Sequence, residues 1–272
     1  MGNRQRRVQL TGLLLSPLLA LTVCSAGAAA ARSKPAGLPV KGRHLVFDEE
    51  FEQLRVGPGR TWGWQTGAYA GCDLNRGNHK LDLLTRDALS VSGGVLTITA
   101  RHRSDGLWDT GLLTTGDSCG TGGSGFTERA GDVVVAHVRL PGPAGGWPAI
   151  WSWRDGGNEL DLFEWHGPRP HELEFVNHVR QSGHRWKSRP LVKPNGWFYI
   201  AVHLGVPSNT WYAGTTRAGM RAVWSDGRGV GRDFAGHPVI NLSIDDGRWA
   251  RSPDPDAVLT FQIGSFKVYR ST

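Results

Sequence analysis

Short runs in which apolar and polar residues alternate recur along the chain, separated by glycine, proline, aspartate and asparagine. A period of two is typical of strands that bury one face, whereas a helix needs a period near 3.6 residues. A parallel α/β fold would need helices of about 10–15 residues between strands, and no such pattern occurs. The chain is therefore predicted to be all-β, an antiparallel β-sandwich. The predicted strands are residues 95–101, 132–140, 147–153, 159–165, 173–180, 197–204, 239–244 and 258–269.

The N-terminal segment, residues 1–31, has a different composition. Three arginines precede an apolar run at residues 10–23, and small residues follow. This order predicts a secretory signal peptide, so the protein is expected to be secreted, with one domain over residues 36–272. A membrane anchor needs about 20 apolar residues, and this run is shorter and contains Pro17. A lipid anchor at Cys24 is the minor alternative.

The formal net charge of +7 gives no evidence for nucleic-acid binding. Cleavage of residues 1–31 removes three arginines and leaves 7 − 3 = +4. The remaining basic residues are scattered, whereas nucleic-acid-binding proteins usually concentrate them on one face. A monomer without membrane association is expected after cleavage. The unusual feature of the composition is tryptophan, with 12 residues against 9 Phe and 4 Tyr.

Cys72 and Cys119 are the cysteines that remain after such cleavage. In an exported protein, two cysteines more often form a disulfide than stay as free thiols. Glycine and polar residues surround both, as is typical of loops. We therefore expect a Cys72–Cys119 disulfide, since no C-x-x-C spacing supports a metal-binding or nucleophilic role.

The stretch at residues 158–167, NELDLFEWHG, carries three acidic side chains. Alternation along a strand places Glu159 and Asp161 on one face and gives Glu164 the opposite parity. A β-bulge at residues 162–163 would return Glu164 to the face of the other two. Three carboxylates on one face repel each other, so this arrangement indicates a function unless the face is simply solvated.

Glycosidic bond cleavage is a reaction that needs such carboxyl groups, one as nucleophile or base and one as acid. The middle Asp161 can hold a proton or hydrogen bond that fixes its neighbour. The preceding predicted strand places Trp147, Trp151 and Trp153 on one face. Indole rings stack on the apolar faces of sugars, although sandwiches also bury tryptophan in their cores. Trp147 and Trp151 are therefore predicted to bind sugar, whereas Trp153 is the member of the three most expected in the core.

Two motifs in this region resemble family 16 glycoside hydrolases, the laminarinase-like β-glucanases. The family pattern G-x-W-P-A-x-W followed by E-x-D-x-x-E is matched by GGWPAIW at residues 145–151 and ELDLFE at residues 159–164. Residues 45–51, 94–101 and 240–249 resemble other strands of the family more weakly.

The resemblance implies a concanavalin-like jelly roll with a concave substrate cleft and a retaining double displacement. Glu159 matches the nucleophile, Asp161 the helper acid and Glu164 the general acid/base. Asn78 and His178 match residues that contact sugar or lie near the carboxylates; the alternatives are a turn asparagine and a structural histidine. Trp165, opposite in parity to Glu164, is expected to pack in the core.

The resemblance also bears on metals. Many family members bind a structural calcium through an aspartate in the last strand, and Gly264 stands at that position here. Losing a carboxylate weakens a site for a hard cation, so no calcium is expected there. Separately from metal binding, Lys80 departs from an acidic residue that is common at its position in the family, which favours the interpretation of nearby Asn78 as a turn residue. No zinc site and no cofactor are predicted.

The sequence therefore predicts an exported endo-hydrolase of a β-linked polysaccharide, most consistent with β-1,3- or mixed β-1,3-1,4-glucan. A glucan-binding protein without catalysis and a transglycosylase remain as alternatives, and galactan-cleaving relatives share the acidic motif. The segment at residues 107–125 matches nothing in the resemblance.

Overall fold

A computed structural model describes residues 36–142 and 144–272. The predicted signal peptide, residues 1–31, lies outside the described residues. The described part is all-β, with two 3₁₀ helices of three residues each, Arg76–Asn78 and Arg86–Ala88. None of these helices is long or apolar enough to cross a membrane.

The strands are β1 His44–Glu49, β2 Asp82–Leu84, β3 Leu89–Ser92, β4 Val95–His102, β5 Trp108–Thr110, β6 Leu112–Thr114, β7 Glu128–Arg129, β8 Val133–Arg139, β9 Gly146–Trp153, β10 Leu160–Glu164, β11 Glu172–Asn177, β12 Ser182–Lys187, β13 Trp197–His203, β14 Thr210–Gly214, β15 Arg221–Ser225, β16 Ala235–Ile244 and β17 Val258–Arg270.

These strands form two sheets. The ten-stranded sheet has the order β15-β14-β13-β8-β17-β4-β5-β2, with β1 on β17 and β3 on β4. The seven-stranded sheet has the order β12-β11-β10-β9-β16-β6, with β7 on β16. Among the named strands only the short pair β2–β5 is parallel. The predicted antiparallel sandwich is therefore confirmed, and every predicted strand is present.

The core lies between the two sheets. Phe163 of the seven-stranded sheet packs edge-on against Phe198 and Phe261 of the ten-stranded sheet, with ring centroids 6.1 Å apart in both pairs. Part of the tryptophan excess fills this core as well. Trp165 is 1% exposed, as its strand parity predicts. The other tryptophans with under 2% exposure are Trp62, Trp108 and Trp211.

A buried carboxyl lies at one edge of the seven-stranded sheet, outside the cleft described below. Glu128 on β7 is 2% exposed and accepts a hydrogen bond from the Ser152 hydroxyl on β9. Asp132 lies close by and is paired with Arg270 at 2.7 Å. Burial, with a smaller contribution from Asp132, raises the pKa of Glu128 to about 8. The folded protein therefore keeps a proton here that an unfolded chain releases at a lower pH.

This difference predicts a loss of stability as the pH rises. Between about pH 5 and pH 8 the folded state binds the extra proton, so the free energy of unfolding decreases with increasing pH. Glu128→Gln should flatten this decrease, with a difference from wild type that grows to as much as about 4 kcal/mol at pH 8. Urea denaturation of both proteins at several pH values measures it, with the exposed Glu50→Gln as control. Parallel curves for wild type and Glu128→Gln would contradict the prediction.

Candidate active site

A cleft of about 450 Å³ lies on the face of the seven-stranded sheet that points away from the core. Its floor is formed by side chains of β9, β10 and β11, and loop residues around 68–80 and 249 form its walls. All the predicted site residues except the two cysteines line this cleft, namely Asn78, Trp147, Trp151, Glu159, Asp161, Glu164 and His178.

The bulge predicted in the acidic strand is present. Asp161 lies opposite Trp151 on β9, whereas Phe163 lies opposite Ile150, so Leu162 is the additional residue. After this insertion Glu164 lies opposite Ala149 and points into the cleft with Asp161. Because one extra residue reverses side-chain parity, the bulge is what brings Glu164 to the face of the other acids.

The three carboxyl groups share a largely buried environment that favours their protonated forms, with Asp161 the most buried at 4% exposure. Burial first, and the charge of Asp161 second, raise the pKa of Glu164 to about 8 and that of Glu159 to about 7. Burial also raises the pKa of Asp161. At neutral pH Glu164 therefore holds a proton, whereas Glu159 is partly ionised. A site with one acid and one carboxylate can donate a proton and attack a carbon in the same step.

His178 joins two of these carboxylates. Its Nε2 lies 3.3 Å from Asp161 Oδ2 and 3.8 Å from Glu159 Oε1. The hydrogen bond to Asp161 raises the pKa of His178 to about 9, so the imidazole is positively charged at neutral pH. These three side chains also have the spacing of a metal-binding group, with ligand atoms within 4.8 Å of one another. A protonated imidazole has no free lone pair for a metal, so a proton competes with any ion.

Trp147 on β9 holds Glu164 in place. Its indole N–H donates to Glu164 Oε1 at 2.9 Å. The Lys80 ammonium lies 4.3 Å from the centroid of the indole ring, and the His166 ring packs at 4.5 Å. Trp147 is only 7% exposed. The expected stacking of sugar on Trp147 stays a prediction, and the hydrogen bond to Glu164 gives this residue a second role.

Trp151 and Trp153 continue along the same face of β9. Trp151 is 9% exposed and donates to Asn241 Oδ1 at 2.8 Å. The expectation that Trp153 belongs to the core is wrong, because this residue is partly exposed and lines the cleft. Its parity matches that of Trp147 and Trp151, and this face of the sheet is the cleft side.

The loop at residues 115–125 holds Trp153. Asp117 in this loop accepts a hydrogen bond from the Trp153 indole at 2.8 Å, and its backbone oxygen accepts one from Gly67 at 2.7 Å. The Cys72–Cys119 disulfide ties the same loop to the segment before β2. Residues 107–125 matched no feature of the family in sequence, and the loop at residues 115–125 within this segment supports one end of the cleft.

Several cleft residues were not singled out from the sequence as contacts. Lys80, Tyr69 and His166 are buried in its wall, and Trp249 is 56% exposed at its edge. The sequence did contain an indication for Lys80, because a lysine at this position departs from the family pattern. The others come from loops that give no periodic pattern. Asn78, at the end of the first 3₁₀ helix, is exposed on the cleft wall.

Gly264 on β17, where the family's calcium-binding aspartate would stand, packs against His137. A Cβ atom at Gly264 would lie 2.9 Å from Nδ1 of His137. The His137 ring is stacked on Tyr199 with centroids 4.2 Å apart. An aspartate at position 264 would therefore displace His137.

The chain is similar to known proteins in sequence and in fold. No protein-family model matches the chain. A β-glucanase from Rhodothermus marinus is 31% identical over 157 residues, which cover 52% of this chain and 50% of the relative. The chain thus matches about half the length of this curated relative.

The fold is shared with solved glucanases. An endo-β-1,3-glucanase from Pyrococcus furiosus has a TM-score of 0.69 at 18% identity, covering 88% of this chain and 98% of that one. The laminarinase catalytic domain from Thermotoga maritima has 0.67 at 18% identity, covering 85% and 100%. A Bacillus licheniformis β-glucanase has 0.64 at 15% identity, covering 85% and 99%. The chain thus resembles a β-glucanase over about half of its length and shares its fold with solved laminarinases and β-glucanases. Both likenesses agree with the resemblance to family 16 glycoside hydrolases that the two sequence motifs carry.

Proposed function

We propose that the protein is an exported endo-glycoside hydrolase that cleaves β-1,3- or mixed β-1,3-1,4-glucan with retention of configuration. The observation that carries this proposal is the set of three carboxyl groups, Glu159, Asp161 and Glu164, on one face of a bulged strand inside a cleft. The likeness to a β-glucanase supports the substrate class. Export rests on residues 1–31, and the Cys72–Cys119 disulfide suits an oxidising compartment.

In the first step Glu159 attacks the anomeric carbon while Glu164 gives its proton to the leaving oxygen. Burial keeps Glu164 protonated near neutral pH. The positive charges of His178 and Lys80 oppose the effect of burial on Glu159 and favour its carboxylate form. The two glutamates thus occupy the protonation states that the step needs.

In the second step a water molecule releases the sugar from Glu159. Glu164, now a carboxylate, takes a proton from this water and returns to its starting state. Trp147 donates to Glu164 in either state, and a bond to the carboxylate is the stronger of the two. His178 holds Asp161 through its Nε2, which lies 3.3 Å from Asp161 Oδ2. Asp161 is two residues from the nucleophile in sequence and lines the same cleft.

The direct test is incubation with a panel of β-1,3-glucan, mixed-linkage glucan and algal galactans, followed by sizing of the products. We expect reducing ends from a β-glucan, a ladder of oligosaccharides from internal cleavage, and an initial β-anomer in the NMR spectrum. Glu159→Gln purified in parallel excludes a contaminating hydrolase.

Other outcomes distinguish the alternatives. Binding of glucan without release of reducing ends would identify a glucan-binding protein. Products longer than the substrate in the presence of an acceptor oligosaccharide would identify a transglycosylase. Cleavage of galactan alone would overturn the substrate assignment, and an initial α-anomer would overturn the mechanism.

A further inference from the structure

Lys80 is a cationic side chain in the wall of the cleft, and the mechanism above does not require it to touch substrate. It is 6% exposed. Its backbone forms a bridge with Asp245, just after β16, and the next residue, Leu81, donates to the Ile244 carbonyl at 2.8 Å. These backbone bonds fix the direction from which Lys80 enters the cleft.

The ammonium group of Lys80 contacts the tryptophan that holds Glu164. It lies 4.3 Å from the centroid of the Trp147 ring, within the range of a cation–π interaction. The N–H of the same indole donates to Glu164 Oε1 at 2.9 Å. A continuous line of contacts therefore joins the Lys80 ammonium to the Glu164 carboxyl group.

The charge of Lys80 also acts on the acidic side chains directly. It lowers the pKa of Glu159, Asp161 and Glu164, against the opposite effect of burial on all three. Glu164 otherwise faces Asp161 on its own strand and Glu174 on β11, both of which raise its pKa.

Glu159 faces a similar balance. Asp161 raises its pKa, whereas His178 and Lys80 lower it. Lys80 is thus a cation that acts on both Glu159 and Glu164 from the loop side of the cleft. His178 acts on Glu159 from the end of β11.

We infer that Lys80 is a positioning residue of this site: its ammonium fixes the Trp147 ring, and through it Glu164, and offsets the negative charge of the carboxylates. This inference rests on the proposed function for its catalytic meaning, although its structural content can be measured without turnover.

The test compares Lys80→Met, which keeps a side chain of similar length without the charge, with Lys80→Arg, which keeps the charge. For Lys80→Met we expect both limbs of the kcat/KM profile to move to higher pH by about 0.5–1 unit. Activity on the acidic limb should fall about fivefold as a consequence. Lys80→Arg should keep the wild-type profile, because its cation remains.

A second readout does not depend on activity. Titration of the side-chain carboxyl carbons by ¹³C NMR should show higher pKa values for Glu159 and Glu164 in Lys80→Met than in wild type. If this shift appears in a protein that cleaves no polysaccharide, the proposed function is wrong and the inference about Lys80 stands. If the protein hydrolyses glucan but profile and titration are unchanged in Lys80→Met, the inference is wrong and the function stands.

Folding of the variants is checked by thermal denaturation, and Lys80→Gln replaces Lys80→Met in both measurements if the latter does not fold. Failure of both neutral variants to fold, with Lys80→Arg folded, would overturn the inference, because the charge would then serve the fold and not the site.

Discussion

Glu159→Gln is expected to reduce kcat on β-glucan by at least about 10⁴-fold, because the amide cannot form the glycosyl-enzyme intermediate. The fold should persist, since Glu159 has a raised pKa from burial and from Asp161, and a neutral amide removes that repulsion. We therefore expect an unchanged or slightly higher melting temperature. Initial rates with the purified polysaccharide and a thermal scan of the same sample measure both effects.

The matched control for Glu159→Gln is Glu50→Gln. Glu50 has the same chemistry but is 51% exposed and pairs with Lys267 on the ten-stranded sheet. This control should retain wild-type rates. Activity of Glu159→Gln within tenfold of wild type would exclude Glu159 as the nucleophile.

Glu164→Ala is expected to slow cleavage of polysaccharide by about 10²–10⁴-fold, because the leaving sugar no longer receives a proton. The loss should be much smaller with an aryl glycoside whose nitrophenolate leaves without protonation. The variant should also lose the decrease in rate that the wild type shows above about pH 8, where Glu164 gives up its proton. Rates with both substrates across the pH range measure these effects.

Azide separates the roles of the two glutamates. In Glu164→Ala, azide can enter the vacated space and attack the glycosyl-enzyme, which gives a β-glycosyl azide. In Glu159→Ala, azide would replace the nucleophile and give the α-azide. NMR of the products distinguishes them, and the reverse pairing would exchange the two assignments.

The fold and the centre of the site follow from local sequence patterns. Alternation predicted the strands of the sandwich, and the broken parity between Asp161 and Glu164 predicted the bulge. Alternation and broken parity can both be recognised within one short stretch of sequence, without knowledge of the neighbouring strands. Alternation did not predict nine of the 17 strands. Among these, β12 and β15 lie at the edges of the two sheets, are partly exposed and lack a clear apolar face.

Contacts between distant segments could not be predicted in this way. Lys80 and Trp147 meet only because the segment before β2 runs beside the end of β16. Trp153 had the right parity for the cleft, but its position depends on Asp117, which a loop brings across the sheet. Burial of Glu128 likewise arises from the packing of β7 on β16. Such contacts depend on the three-dimensional arrangement of loops, which has no period along the chain.

The geometry of one part of the cleft depends on the Cys72–Cys119 disulfide, whereas the geometry of the other part does not. The carboxylates belong to a strand that hydrogen bonds to neighbours on both sides, so their geometry does not need the crosslink. The loop that carries Asp117 and holds Trp153 is tied by it. Under reducing conditions we therefore expect hydrolysis at the carboxylates to continue. Binding of a long polysaccharide at the Trp153 end of the cleft should become weaker. The redox state of the disulfide would then change the length of polysaccharide that the cleft binds without changing its ability to hydrolyse the glycosidic bond.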